Sequence, residues 1–190
     1  MTTLPDWMYP PNPGGWTADD LDSLPADAPR HIELIDGALI FMMSPQRYFH
    51  ATVMNRLTYK LAEQAPTDVA VAQEMTVKLG HRNRPEPDVV AARGVPAWDR
   101  TFFEAADVIL AVEIVSDESQ DRDRETKPLK YAKAGIPHFW RIEEENNSPV
   151  VHVFELEPTT SAYVATAIER VRLDLLVPFA IDIDLASLLR

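Results

Sequence analysis

The sequence predicts a mixed chain of strands and helices, α/β in the broad sense that includes α+β, and three observations predict it. Asp107 to Val115 is an apolar, β-branched run of the kind that forms a strand buried on both faces. Two alternating runs, His138 to Glu143 and Val150 to Glu155, read as half-buried strands. Helical spacing marks Ser44 to Gln64, and a dense charge run after Val115 leads into a second helix ended by Gly135. With 190 residues, 46% of them hydrophobic, the chain can bury one core of its own. Residues 1–16 are expected to form a flexible Pro-rich N-terminal arm, and 17–190 a single domain.

Each element has its own local reason. Thr17 can cap a short helix through Leu21 and Leu24, with Asp19 and Asp20 in the first turn where acids suit the helix dipole. His31 to Met43 reads as two strands joined at Asp36-Gly37, a strong hairpin signal, with Glu33 on the opposite strand face from Ile32 and Leu34. Ser44-Pro45 is a helix start, and Val53, Met54, Leu57 and Leu61 give that helix its apolar stripe. His50 lies on the same stripe, where a histidine is either a hydrogen-bonded core residue or a functional one.

Val69 to Gln73 and Met75 to Leu79 are strand-like, and His81 to Pro87 is a basic loop that delivers Asp88 to the mouth of the short apolar strand Val89 to Ala92. Past Gly135 and Pro137, the two alternating strands turn at Asn146-Asn147-Ser148-Pro149. A further pair, Tyr163 to Ile168 and Glu169 to Leu173, is expected to complete an antiparallel flank, and Ile181 to Leu189 a closing helix capped near Asp182 or Asp184.

Composition removes whole classes of function. There are no cysteines, so disulfides, thiolate metal sites and cysteine nucleophiles are excluded. The formal net charge of −12 opposes a general affinity for nucleic acid, so any such partner must be met by a local basic patch or through a metal. No run is apolar enough to span a membrane and no basic-then-apolar leader opens the chain, which gives the expectation of a cytoplasmic protein.

The chemistry starts from one anomaly. Glu113 sits inside an otherwise apolar strand, where an unpaired charge costs several kcal/mol or more, so it must be paired, protonated or bound to a cation. Asp88, at the start of another apolar strand, is its natural companion. Two such carboxylates with a lysine nearby suit a hard divalent cation such as Mg²⁺ or Mn²⁺. Structural ion pairs explain the same residue types equally well.

Several short motifs occur together in order: Glu33-Leu-Ile-Asp-Gly37, Ser44-Pro45 followed by His50, Pro87-Asp88-Val89, Val112-Glu113-Ile-Val-Ser116, Asp123 with Lys127 and Tyr131, and Gly135-Ile-Pro-His-Phe-Trp140. In this combination the chain resembles the Uma family of restriction-endonuclease-like proteins, a bacterial branch of the PD-(D/E)XK nuclease superfamily, from Asp19 to Leu189. The resemblance implies a restriction-endonuclease-like mixed β-sheet flanked by helices, with Asp88, Glu113 and Glu33 as metal ligands. The superfamily pattern places its lysine two residues after the second acid, where this chain has Val115. The resemblance therefore points to Lys127, one helical face with Asp123 and Tyr131, as the catalytic amine. Pro128 next to it is a complication, because proline breaks a helix interior. Asp117 replaces the proline that usually follows the serine, a loop change.

The expected function is metal-dependent hydrolysis of DNA phosphodiester bonds, with Asp88, Glu113, Lys127, Glu33 and His50 as catalytic candidates and Mg²⁺ or Mn²⁺ as cofactor. DNA is expected to meet Arg82 and Arg84 on one side and Arg122 and Arg124 on the other. A homodimer would allow both strands to be cut. A degenerate nuclease fold that binds nucleic acid or protein without cleaving, and a structural module whose acids are merely paired, stand beside that reading.

Overall fold

The structure is a computed structural model that describes residues 4–94 and 97–190. The first three residues of the expected arm lie outside them. Farther along the arm, Trp7 meets Phe41 edge-on at 6.1 Å between ring centroids, and buried Trp16 donates its amide to the Gly37 carbonyl at 3.1 Å. The expected helix near Thr17 is a 3-10 segment, Asp19–Ser23. Here the cap is inverted: the Thr17 amide and hydroxyl both donate to Asp20 Oδ2, at 2.8 and 2.7 Å.

The hairpin follows as β1 (Ile32–Ile35) and β2 (Ala38–Phe41). Asp36 and Gly37 take φ of 52° and 81°, the left-handed pair that a two-residue turn requires. All four β1 residues are buried, so Glu33 is enclosed even though it alternates with Ile32 and Leu34. Helix α1 (Tyr48–Gln64) begins later than Ser44-Pro45 predicted. The Ser44 amide donates instead to Glu118 Oε2 at 3.2 Å, which holds that segment as an extended rim.

The next strands are β3 (Val69–Gln73), β4 (Thr76–Lys78), β5 (Val89–Arg93), β6 (Phe102–Glu104) and β7 (Val108–Ile114). A helical stretch then carries a π-turn, Arg122–Thr126, running directly into α2 (Lys127–Lys133). Pro128 explains the π-turn. It has no amide hydrogen for the carbonyl four residues back, and the Lys127 amide reaches five residues back to Arg122 instead. The helix thereby continues through the proline. Gly135, at φ 82°, closes it, with the Ile136 amide donating to Tyr131 O at 3.1 Å.

The chain ends with β8 (His138–Glu145), β9 (Ser148–Glu157), β10 (Ala162–Glu169), β11 (Arg172–Leu175) and β12 (Ile181–Asp184). Three expectations are corrected here. The turn is only Asn146-Asn147, both at positive φ, so Ser148 and Pro149 belong to β9. The tail is not one helix: Ile181 and Ile183 alternate inward as a strand paired with β11, and only Leu185–Leu189 forms a 3-10 turn, capped by Asp184 accepting from the Ala186 amide. β11 therefore pairs with β12 and not with β10.

Six strands form one mixed sheet in the order β10-β9-β8-β7-β5-β3, parallel only between β7 and β8. That parallel pair requires a crossover, which α2 supplies. Helix α1 covers one face, where Val53, Leu57 and Leu61 pack with Leu110, Val112 and Trp140. On the other face, α2 brings Tyr131 against Ala111 and Phe139. This is a mixed α+β fold with few helices, and the strand buried on both faces is its centre. Among the described residues, no helix is long and apolar enough to cross a membrane.

Candidate active site

The central strands place the two acids. β5 and β7 are antiparallel with Val89 opposite Val112, so Asp88 and Glu113 fall at neighbouring positions of one sheet end. Asp88 Oδ2 accepts from the Ile114 amide at 2.6 Å, and its Oδ1 stands 3.2 Å from His50 Nε2. His50 thus leaves the apolar stripe at its edge and faces Asp88. Burial would lower its pKa, but the Asp88 hydrogen bond and charge raise it. Gln46 Nε2 lies 3.0 Å from the other ring nitrogen, so the imidazole is held at both ends.

Glu33 arrives from the hairpin. Leu34 exchanges backbone hydrogen bonds with Arg84, which draws residues 84–86 alongside β1, and the Glu86 amide donates to Glu33 Oε1 at 2.9 Å. Lys127 closes the arrangement from α2. Its Nζ lies 2.7 Å from Glu33 Oε1, 3.0 Å from Glu113 Oε2 and 3.4 Å from Asp123 Oδ1. The other Glu113 oxygen accepts from the Tyr131 hydroxyl at 2.6 Å. Glu33, Glu113, Asp123 and Lys127 are all at most 3% exposed.

The electrostatics follow from this crowding. Burial raises the Glu113 carboxyl well above its usual range, Lys127 opposes the rise, and Asp123, Asp88 and Glu33 add to it. Asp123 is raised by burial against Lys127 in the same way. Burial works to lower Lys127, yet Glu113, Glu33 and Asp123 hold its ammonium well above the ordinary lysine value. One buried ammonium therefore faces more carboxylates than it can neutralise. Two oxygens in the cluster, Glu33 Oε2 and Asp123 Oδ1, have no hydrogen-bond donor among the described residues.

These groups line one pocket of about 480 Å³, rimmed by the Ser44–Arg47 and Ser116–Ser119 segments. Among the described residues, no three His, Asp or Glu side chains stand in ligating geometry, because the Lys127 ammonium sits between the acids. The donor set is nevertheless all oxygen, with two buried oxygens unpartnered. That suits a hard cation that takes one or two carboxylates and keeps several waters.

All five catalytic candidates from the sequence, Asp88, Glu113, Lys127, Glu33 and His50, are brought together here. None of the four arginines expected to meet DNA lines that pocket. Arg84 is 3% exposed, bound to both Asp22 oxygens at 3.0 and 2.9 Å and to the Ala18 carbonyl at 2.9 Å, so it cannot reach a nucleic acid. Arg82 is tied over the hairpin turn, donating to the Gly14 carbonyl and to Asp36 O. Arg124 pairs with Glu143 at 2.6 Å. Arg122 alone of the four turns to the cluster, with Nε 4.0 Å from Glu33 Oε2.

Sequence reasoning left several neighbours out of the site. Asp123 and Tyr131 were visible in the spacing with Lys127. His31, 2.6 Å from Glu86, and Ser119, bonded to Asp123 Oδ2, carried no local signal.

Comparison with known proteins agrees with this fold. The putative nuclease of the DUF820 group from Anabaena variabilis ATCC 29413, known from a crystal structure, is similar in fold at a TM-score of 0.66. The alignment covers 90% of this chain and 96% of that one at 19% identity, so the likeness speaks for the fold. No curated protein matches the chain. The family described as Uma2, "Putative restriction endonuclease", matches residues 18–186, nearly the whole chain, and the protein belongs to that family.

Proposed function

We propose that the protein is a divalent-cation-dependent nuclease that hydrolyses DNA phosphodiester bonds, with Asp88, Glu113 and Glu33 holding Mg²⁺ or Mn²⁺. The observation that carries this reading is the reach of Lys127. Although Val115 occupies the superfamily's usual lysine position, the ammonium from α2 arrives within 3.0 Å of Glu113 and 2.7 Å of Glu33. A bound cation would supply polarisation of the phosphodiester and a more acidic water. The protein's own side chains do the rest. Asp88 is oriented by the Ile114 amide and His50, and Glu113 by Tyr131, so both carboxylates are fixed before any ligand arrives. Lys127 offers a buried positive charge to a phosphate oxygen or to the attacking water. His50, its pKa raised against burial by the Asp88 hydrogen bond and charge, sits at the pocket edge where a proton can be passed to solvent.

Calorimetric titration with Mn²⁺ and cleavage of a supercoiled plasmid test this together. The parent is expected to bind Mn²⁺ and to nick the plasmid, and Glu113→Ala to do neither. An unchanged Mn²⁺ response in Glu113→Ala would overturn the metal assignment. The second reading, a nucleic-acid or protein binding module that does not cleave, is favoured by the lack, among the described residues, of three His, Asp or Glu side chains in ligating geometry. It predicts retention of DNA without nicking in Mn²⁺.

A further inference from the structure

Asp123 lies in the site, and its geometry gives it a particular task. Its two oxygens live in different surroundings. Oδ2 accepts from the Ser119 hydroxyl, which in turn receives the Ser116 amide at 3.2 Å and lies 2.9 Å from the Ser116 hydroxyl. The Asp123 amide donates to Ser119 O at 2.9 Å, so both backbone and side chain are anchored. Oδ1 is fully enclosed, 3.4 Å from the Lys127 ammonium, and receives no hydrogen bond among the described residues. A buried carboxylate oxygen left without a donor costs on the order of 1–3 kcal/mol, so a rigid scaffold that holds one in that state calls for a reason.

Glu113 shows the complementary pattern. Both of its oxygens are in use: Oε1 by the Tyr131 hydroxyl and Oε2 by Lys127. Each oxygen keeps a free lone pair, but a cation on this carboxylate would stand against the Lys127 ammonium 3.0 Å from Oε2, and that repulsion is relieved when a donor shifts. Tyr131 is packed in the core against Phe139 and cannot withdraw, whereas Lys127 ends a flexible side chain. Lys127 is therefore the group that gives way. The waiting acceptor on its far side is Asp123 Oδ1, with Glu33 also lacking a donor on Oε2.

We infer that Asp123 is a positioning residue that receives the Lys127 ammonium when a divalent cation takes its place on Glu113. The inference rests on the metal-dependent reading above. In the structure described here the ammonium occupies the cation's side of Glu113; on loading it moves toward Asp123, keeping its charge buried and beside the reacting group. Asp123 then favours cation binding without ligating the cation. The two states are coupled through the lysine alone.

A double-mutant cycle with Mn²⁺ affinity as the readout tests this. Asp123→Asn is expected to weaken Mn²⁺ binding about tenfold while Lys127 is present, the scale usual for groups that orient ligands. In a Lys127→Met background, with no ammonium to relocate, Asp123→Asn is expected to change affinity less than about twofold. Equal losses in both backgrounds would make Asp123 a ligand and overturn the inference; no loss in either would do the same. Ser119→Ala, which only loosens Oδ2, serves if Asp123→Asn does not fold, and the same lysine-dependent but smaller loss is expected. An unchanged affinity there also counts against it. Failure of the parent to bind Mn²⁺ would sink the metal-dependent reading itself, an outcome distinct from any of these.

Discussion

Arg84 and Lys127 are two cations buried to the same depth, each 3% exposed, and they are treated in opposite ways. The Arg84 guanidinium spreads its donors over Thr76 Oγ1 at 2.8 Å, the Ala18 carbonyl, Thr101 and one bidentate carboxylate, Asp22. Burial would raise Asp22, but the Arg84 and Thr101 hydrogen bonds bring it below its usual value. Charge and hydrogen bonding are both balanced, and the group braces the N-terminal segment against the sheet. Lys127 has three carboxylates within 3.4 Å, a fourth acid beyond them, and two oxygens without donors. The first arrangement is complete, whereas the second has acceptors to spare. A surplus of buried acceptors, and not burial of a charge as such, is what separates a site from a brace.

The largest expected effect breaks the brace. Arg84→Met should lower stability by roughly 3–5 kcal/mol, since it removes the partner of Asp22 and the donors to Thr76 and Thr101 and strands the buried Ala18 carbonyl, and chemical denaturation should show that loss with and without Mn²⁺. Lys127→Met should act differently. Its cleavage rate should fall about a hundredfold or more, near 3 kcal/mol, while Mn²⁺ affinity does not fall, because a competitor for Glu113 is gone. If both variants lose only stability, the contrast between the two cations is mistaken.

Gly37→Ala probes the neighbouring Arg82 staple. A Cβ there would run into the Arg82 guanidinium, and φ is 81°, so a loss of about 1–2 kcal/mol is expected, seen as a lower Tm with Mn²⁺ affinity unchanged.

The smallest effect is a pH dependence. Glu113, Asp123 and Glu86 are acids raised above their usual values, each chiefly by burial. Such groups hold extra protons in the folded state, so their contribution is present at low pH and lost as pH rises through the raised values. As pH rises above the ordinary carboxylate range, the metal-free parent should lose stability relative to Glu113→Gln, which has one titrating acid fewer. Taking the difference removes His138 and His152, both lowered mainly by burial, which act in the opposite direction. A parent that gains stability over this range relative to the variant would contradict the crowding of acids around Lys127.

Much of the architecture was legible because it is local. The Asp36-Gly37 turn, the stripe on α1 and the apolar strand carrying Glu113 each follow from spacing within one segment. The closing helix was misjudged because Ile-Asp-Ile-Asp has the two-residue period of a strand, and only its partner β11 settles the choice. The start of α1 was misplaced because Ser44 spends its amide on Glu118, 74 residues away.

The sequence by itself determined that Glu113 needed a partner, since an acid in a strand buried on both faces cannot stand alone. It also put Asp123, Lys127 and Tyr131 on one helical face. Which partner Glu113 received was a tertiary decision, made by a π-turn that carries the helix past Pro128 and lays Lys127 over the sheet end. The fate of the arginines was tertiary as well: Arg82 and Arg84 stand in a loop that composition alone reads as basic surface, but pairing with β1 buries Arg84, while Arg82 stays exposed and is tied over the hairpin turn. The physical reason is the same in both cases. Periodicity fixes which face of an element a side chain occupies, whereas burial and charge balance depend on what the rest of the chain sets against that face.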